Sequence, residues 1–204
     1  MSNVETRIVE INSELRTVSN ENDEMIVEGY ALRFDEPSEI LHSNGIKFVE
    51  TIKRNSFTDE QLDDLKLLAE HDYSRILART SAGTLETKIT DEGLWFRAKI
   101  VPTTYGKDVY ENLKHKNIVS CSFGFEVDKD GDTVTLDKKT GLYQRALNKI
   151  KRISEITLTS MPAYKSTSVS VRSINEADEQ VKEQVKKKLE LELELLKMKG
   201  AQNK

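Results

Sequence analysis

The stretch Ile118-Val119-Ser120-Cys121-Ser122-Phe123-Gly124-Phe125-Glu126-Val127 reads as a strand, and its alternation decides which residues are core and which are chemistry. Val119, Cys121, Phe123, Phe125 and Val127 fall on one side, and Ile118, Ser120, Ser122 and Gly124 on the other. The apolar side is a core face, on which Cys121 is a small buried residue rather than a reactive thiol. The other side presents two hydroxyls beside a residue that has no side chain. That leaves room for a substrate backbone next to Ser122.

Working outward, Thr103 is placed to cap a helix over 104–115, with Val109 and Leu113 on one face. Asp128 to Asp132 form a turn, after which TVTLD, LYQRALNKI and RISEITLTS read as antiparallel strands up to Pro162. Toward the N-terminus, GTLETKIT and GLWFRAKIVP flank Asp91-Glu92-Gly93, a hairpin signal. LKLLAEH (65–71) is a buried strand that ends at His71, with Arg75 to Arg79 as its partner. Thr58 and Gln61 have the spacing of a capping box and predict a short helix near 57–66. GIKFVETI (45–52) reads as a strand, as do VETRIVEINSELRTV and MIVEGYALRF, two strands joined by a polar loop over 19–24. Many short strands with few helices predict an α+β fold with an antiparallel, barrel-like core.

After Arg172 the character changes. Val181, Val185, Leu189, Leu193 and Leu196 form a stripe at helical spacing among Glu and Lys, which predicts a charged helical tail. The expected organisation is a domain over 1–172 and a tail over 173–204.

Composition excludes several functions. A net charge of −4 without a basic face argues against a nucleic-acid binder. The single cysteine rules out an intramolecular disulfide and a Cys-rich zinc site. No apolar run approaches the ~20 residues needed to span a bilayer, and the N-terminus lacks the apolar core of a signal peptide. A soluble, intracellular protein at synthesis is expected. Of the three histidines, none forms the pairs of a helical zinc site, and no phosphate-binding glycine loop is present. His42 lies in a turn and His115 among lysines at a helix end. His71 alone closes a rigid apolar strand.

A serine hydroxyl is inert until a base removes its proton, and histidine is the usual base. Ser122 and His71 are therefore the candidate pair, with Ser120 as the fallback nucleophile. A carboxylate that orients the imidazole completes such a site. Glu155, in Arg152-Ile-Ser-Glu-Ile-Thr-Leu, and Asp72 both compete for that part.

The order Leu67-Leu68-Ala69-Glu70-His71-Asp72, then Ser122-Phe123-Gly124-Phe125, then Ile153-Ser154-Glu155-Ile156-Thr157-Leu158 leading into Met161-Pro162-Ala163-Tyr164, resembles the prohead maturation proteases of tailed phages of the HK97 type, relatives in fold of the herpesvirus capsid proteases. Glu28-Gly29-Tyr30-Ala31 and Phe34 fit as well, and the resemblance covers about residues 25–172. It implies a serine endopeptidase that uses no metal or cofactor. Made in the host cytoplasm, it works inside the prohead, where it cleaves the major capsid protein's scaffold segment and itself. It also implies Ser122 as nucleophile, His71 as general base and Glu155 as the acid. Herpesvirus relatives have a second histidine at that third position, where neither His42 nor His115 falls. The relatives in fold imply a homodimer, and the tail a removable, scaffold-like segment. The rival reading is a non-enzymatic assembly or scaffold-binding protein whose helical tail drives oligomerisation.

Overall fold

The computed structural model describes residues 5–10, 15–18, 24–160 and 171–202. Residues 19–23 of the expected first loop and the Met161-Pro162-Ala163-Tyr164 motif lie outside them. In chain order the strands are β1 (Glu5–Glu10), β2 (Arg16–Val18), β3 (Ile26–Arg33), β4 (Leu41–Ser43) and β5 (Ile46–Ile52). A 3-10 turn (Asp59–Leu62) precedes β6 (Lys66–Ala69), β7 (Asp72–Arg79), β8 (Leu85–Ile89) and β9 (Gly93–Lys99). Helix α1 (Thr104–Lys114) leads into β10 (Ser120–Val127), β11 (Asp132–Asp137), β12 (Leu142–Leu147) and β13 (Ile150–Thr159), and α2 (Arg172–Gln202) ends the chain.

These strands form three sheets, ordered β1-β10-β13-β6-β7, β11-β12-β5-β4 and β2-β3-β9-β8. The fold is α+β and sheet-rich, with no closed barrel among the described residues. Nor is it wholly antiparallel, because β13 runs parallel to β6 and β12 parallel to β5. Alternation along one strand fixes its faces but carries no information about its neighbour's direction.

Local chemistry explains the elements. Thr103 caps α1 through its hydroxyl, which accepts from the Gly106 N–H. Gln61 accepts from the Thr58 N–H, but the helix it starts is a single 3-10 turn. The main core gathers Leu67 and Ala69 of β6, Cys121, Phe123 and Phe125 of β10, and Ile153, Ile156 and Leu158 of β13. Burial of each large apolar side chain contributes roughly 1.5–3 kcal/mol.

A second cluster joins Phe48 and Tyr143 to Val171 and Ile174. The first turns of α2 are therefore packed on the body: Ser173 donates to Asp132 and Tyr143 donates to Asp178. Beyond Val181 the helix continues with Val185, Leu189, Leu193 and Leu196 more than half exposed. Among the described residues, no helix is long and apolar enough to cross a membrane.

Candidate active site

Strand β10 alternates as its sequence dictates, so Ser120, Ser122 and Gly124 share the face away from the core. On β13, Thr159, Thr157 and Glu155 stand opposite them. The alignment depends on a β-bulge: Gly124 pairs with Glu155 but Phe125 pairs with Ile153, which leaves Ser154 over. Strict alternation would put Ile153 and Glu155 on one side. The extra residue lets Ile153 and Ile156 both enter the core while Glu155 turns to the polar face. Ser154 Oγ donates to the Gly124 carbonyl at 3.0 Å, which pins the bulge.

Gly124 is needed here for a reason other than substrate access. A Cβ at this position would lie 2.8 Å from Ser154 Oγ and 2.9 Å from Glu155 Oε1. The space is occupied by the carboxylate itself.

His71 reaches this face from the β6–β7 hairpin. Ala69 pairs with Asp72, so Glu70 and His71 form a two-residue connection, and both have left-handed φ, 52° and 58°. Asn-Gly and Asp-Gly are the usual occupants of such a turn. Non-glycine residues held in this region cost about 1–3 kcal/mol each and persist where the surroundings enforce them. The enforcement is visible: Glu70 accepts from Thr159 Oγ1 and from the Ser160 N–H, both at 2.7 Å, and its own N–H donates to the Leu158 carbonyl. Burial would raise the Glu70 carboxyl's pKa, but these hydrogen bonds outweigh it and hold the group below the usual range.

The turn sets His71 Nδ1 2.9 Å from Glu155 Oε1. A carboxylate only accepts, so the neutral ring carries its proton on Nδ1 and offers a lone pair at Nε2. Nε2 is buried and without a hydrogen-bond partner, so no Ser122–His71 hydrogen bond is made in this structure. The other Glu155 oxygen, Oε2, accepts from Thr157 Oγ1 at 2.5 Å. Glu155 is 3% exposed and Ser120, Ser122 and Thr157 are fully buried, so the serines are not the exposed pair that an open strand face suggests.

Asp72 is turned away. It accepts from the Ser74 N–H and hydroxyl, and those bonds lower its pKa. His42 lies on β4 in another sheet, and His115 caps α1, so neither joins the constellation. Cys121 is buried in the core, and burial first, then the Glu155 charge, push its thiol far up, which keeps it protonated. Arg152 is exposed on β13 before the bulge. No group of acidic, His or Cys side chains able to hold a metal ion occurs among the described residues.

The alternation of Glu155 with Thr157 and Thr159 in the sequence carried a signal for the two hydroxyls on this face of β13, of which Thr157 donates to Glu155 and Thr159 to Glu70. Glu70 gave none, because its role depends on the backbone of the turn.

An imidazole bonded to a buried carboxylate, on strands beside the one that carries Ser120 and Ser122, supplies the residue types of a serine hydrolase. A family model described as the caudovirus prohead serine protease matches residues 12–183, and the chain belongs to that family. The family is one of capsid maturation proteases. No curated protein matches the chain. A solved structure of the capsid assembly protease gp21 of bacteriophage T4 is similar over 76% of this chain and 96% of that one, at 11% identity and a TM-score of 0.48.

Proposed function

We propose that the chain is a serine endopeptidase of capsid maturation in which Ser122 is the nucleophile, His71 the general base and Glu155 the acid that orients the imidazole. The hydrogen bond from His71 Nδ1 to Glu155, with Nε2 left unpartnered above the strand pair that carries Ser122, is the observation that supports this reading most. Once Nε2 engages the hydroxyl, it takes the Ser122 proton as Oγ attacks the scissile carbonyl. The imidazolium then protonates the leaving amine, and water repeats the sequence to release the acyl group. Catalytic hydrogen bonds are often long or unmade before substrate is bound. Because Ser122 is fully buried, substrate entry requires the residues over this face to move.

In this reading the substrates are the scaffold segment of the major capsid protein and the chain itself, cleaved inside the prohead. No cofactor, nucleic acid or membrane takes part. Residues 1–172 act as the protease domain, and 173–204 as a tail anchored on it through its first turns and removed during maturation.

The test is intact mass of wild type and Ser122→Ala, each incubated alone and with the capsid protein from the same phage. Cleavage by wild type alone supports the reading. Equal cleavage by both proteins excludes Ser122 as nucleophile, and no cleavage by either favours the non-enzymatic assembly protein.

A further inference from the structure

From Val185 onward, the apolar side chains of α2 are exposed among the described residues. At 100° per residue, Val185, Leu189, Leu193 and Leu196 fall within an arc of about 80°, and each is between 53% and 67% exposed. Along the start of this arc runs a shallow depression of about 390 Å³, lined by Val181, Lys182, Val185, Lys186, Leu189 and Glu190. Contiguous apolar surface of this kind marks an interaction site.

The charges beside the seam say what covers it. Lys186 and Glu190 lie along one flank, Lys188 and Glu192 along the other. Within the chain, Lys188 and Glu192 approach only to 3.9 Å. In a parallel pair of these helices one flank faces the opposite flank, which sets Lys186 beside Lys188 and Glu190 beside Glu192, like against like, with only the Glu190–Lys188 approach opposing them. In an antiparallel pair each flank faces itself. With the twofold axis at Leu189, Lys186 meets Glu190 of the second copy and Lys188 meets Glu192, each twice per pair, against one Glu190–Glu190 and one Lys188–Lys188 approach at the same axial offset. The same axis stacks Leu189 on its own copy and Val185 on Leu193. Attractive approaches thus outnumber repulsive ones in the antiparallel pair and the reverse holds in the parallel pair, and the antiparallel register that does this also pairs Leu189 and Val185 with apolar partners, with Leu196 opposite the Lys182 stem.

We infer that two copies of this chain associate through α2 as an antiparallel helix pair with its twofold axis at Leu189. The apolar seam supplies affinity, and the flanking charges select orientation and reject the parallel form. A closed twofold pair buries the seam once and stops there. The inference does not depend on which residues perform hydrolysis.

The test is sedimentation equilibrium of the full chain over a range of concentrations, with its integrity checked by intact mass. Wild type is expected to be a dimer, and Leu189→Lys a monomer whose circular dichroism matches wild type and whose melting temperature matches that of wild type diluted to its monomer, since the position is exposed. Lys186→Glu with Lys188→Glu, and separately Glu190→Lys with Glu192→Lys, each weaken self-association by about tenfold or more. Mixed together, these two double variants form a heterodimer. In oxidising solution, Val185→Cys and Leu193→Cys cross-link when mixed and not alone, with native Cys121 out of reach in the core. A wild-type monomer at every concentration, a dimer that survives Leu189→Lys, or Val185→Cys that cross-links to itself overturns the inference.

Discussion

His71 Nδ1 lies 2.9 Å from Glu155 Oε1, and the opposite ring nitrogen is buried with nothing to bond. A carboxylate there fixes the tautomer that leaves Nε2 as acceptor, whereas an amide can donate to Nδ1 and stabilise the wrong one. Glu155→Gln is therefore expected to lower kcat for capsid-protein cleavage by about 10²–10⁴-fold, by analogy with the loss of a triad acid. The shape of the side chain is kept, so the melting temperature should change little. A Glu155→Gln enzyme of wild-type kcat would remove the acid from the mechanism.

Thr157 tests the same carboxylate from its other oxygen. Thr157→Val keeps the volume but leaves Glu155 Oε2 buried without its donor, a loss of about 1–3 kcal/mol of stability. Activity should fall by roughly tenfold or more, because a carboxylate held by one oxygen can rotate away from His71. Thr157→Ser restores the hydroxyl and should recover most of kcat. Equal activity of the Val and Ser variants would mean that Thr157 only fills space.

The sequence shows why these residues were unequally legible. From Cys121 to Phe125 the faces of β10 follow from alternation alone, and so does the core role of Cys121, but Ile118, expected on the polar side, is in the core because the strand begins only at Ser120. Helix α1 follows from Thr103 and the apolar spacing after it. The choice between Glu155 and Asp72 could not be made that way, since it depends on a bulge at Ser154 and on two left-handed residues in a hairpin without glycine. Parallel pairing of β13 with β6 was likewise invisible, because strand direction is set by crossovers between distant segments. Charge pattern and apolar spacing marked a C-terminal helix but not its first turns, where Ile174 enters a core built from Phe48 and Tyr143.

Glu70 gives a pH dependence of definite sign. Its folded carboxyl is held below the usual range, so its contribution to stability is present above the unfolded carboxylate pKa and fades as pH falls through the lowered folded value. Glu70→Gln should thus melt below wild type at neutral pH, with the gap closing on acidification below the ordinary carboxylate range. The group is largely solvent-screened, so the gap is expected to be small. A larger effect should appear in kcat at neutral pH, because the side chain fastens the turn that carries His71 to the end of β13. A gap in melting temperature that widens with acid would contradict the assignment.

Arg145 carries the largest predicted loss of stability. Its guanidinium is buried and donates to Glu5 of β1, Glu50 of β5 and Asp132 of β11, at 2.6–2.9 Å. Burial alone would lower its pKa, but the three carboxylates reverse that and raise it. The same Asp132 oxygen accepts from Ser173 of α2, so one cation links strands from two sheets and, through Asp132, the C-terminal helix. Arg145→Ala removes the charge and leaves buried carboxylates facing one another, at a cost of about 3–5 kcal/mol. For a chain of this size that corresponds to a fall in melting temperature on the order of 10 °C. Arg145→Lys keeps the charge but loses the planar fork that reaches several acceptors at once, and should fall between the two. Partial recovery of Arg145→Ala in acid, where the carboxylates become neutral, would separate charge repulsion from lost packing, since a packing defect would persist at every pH.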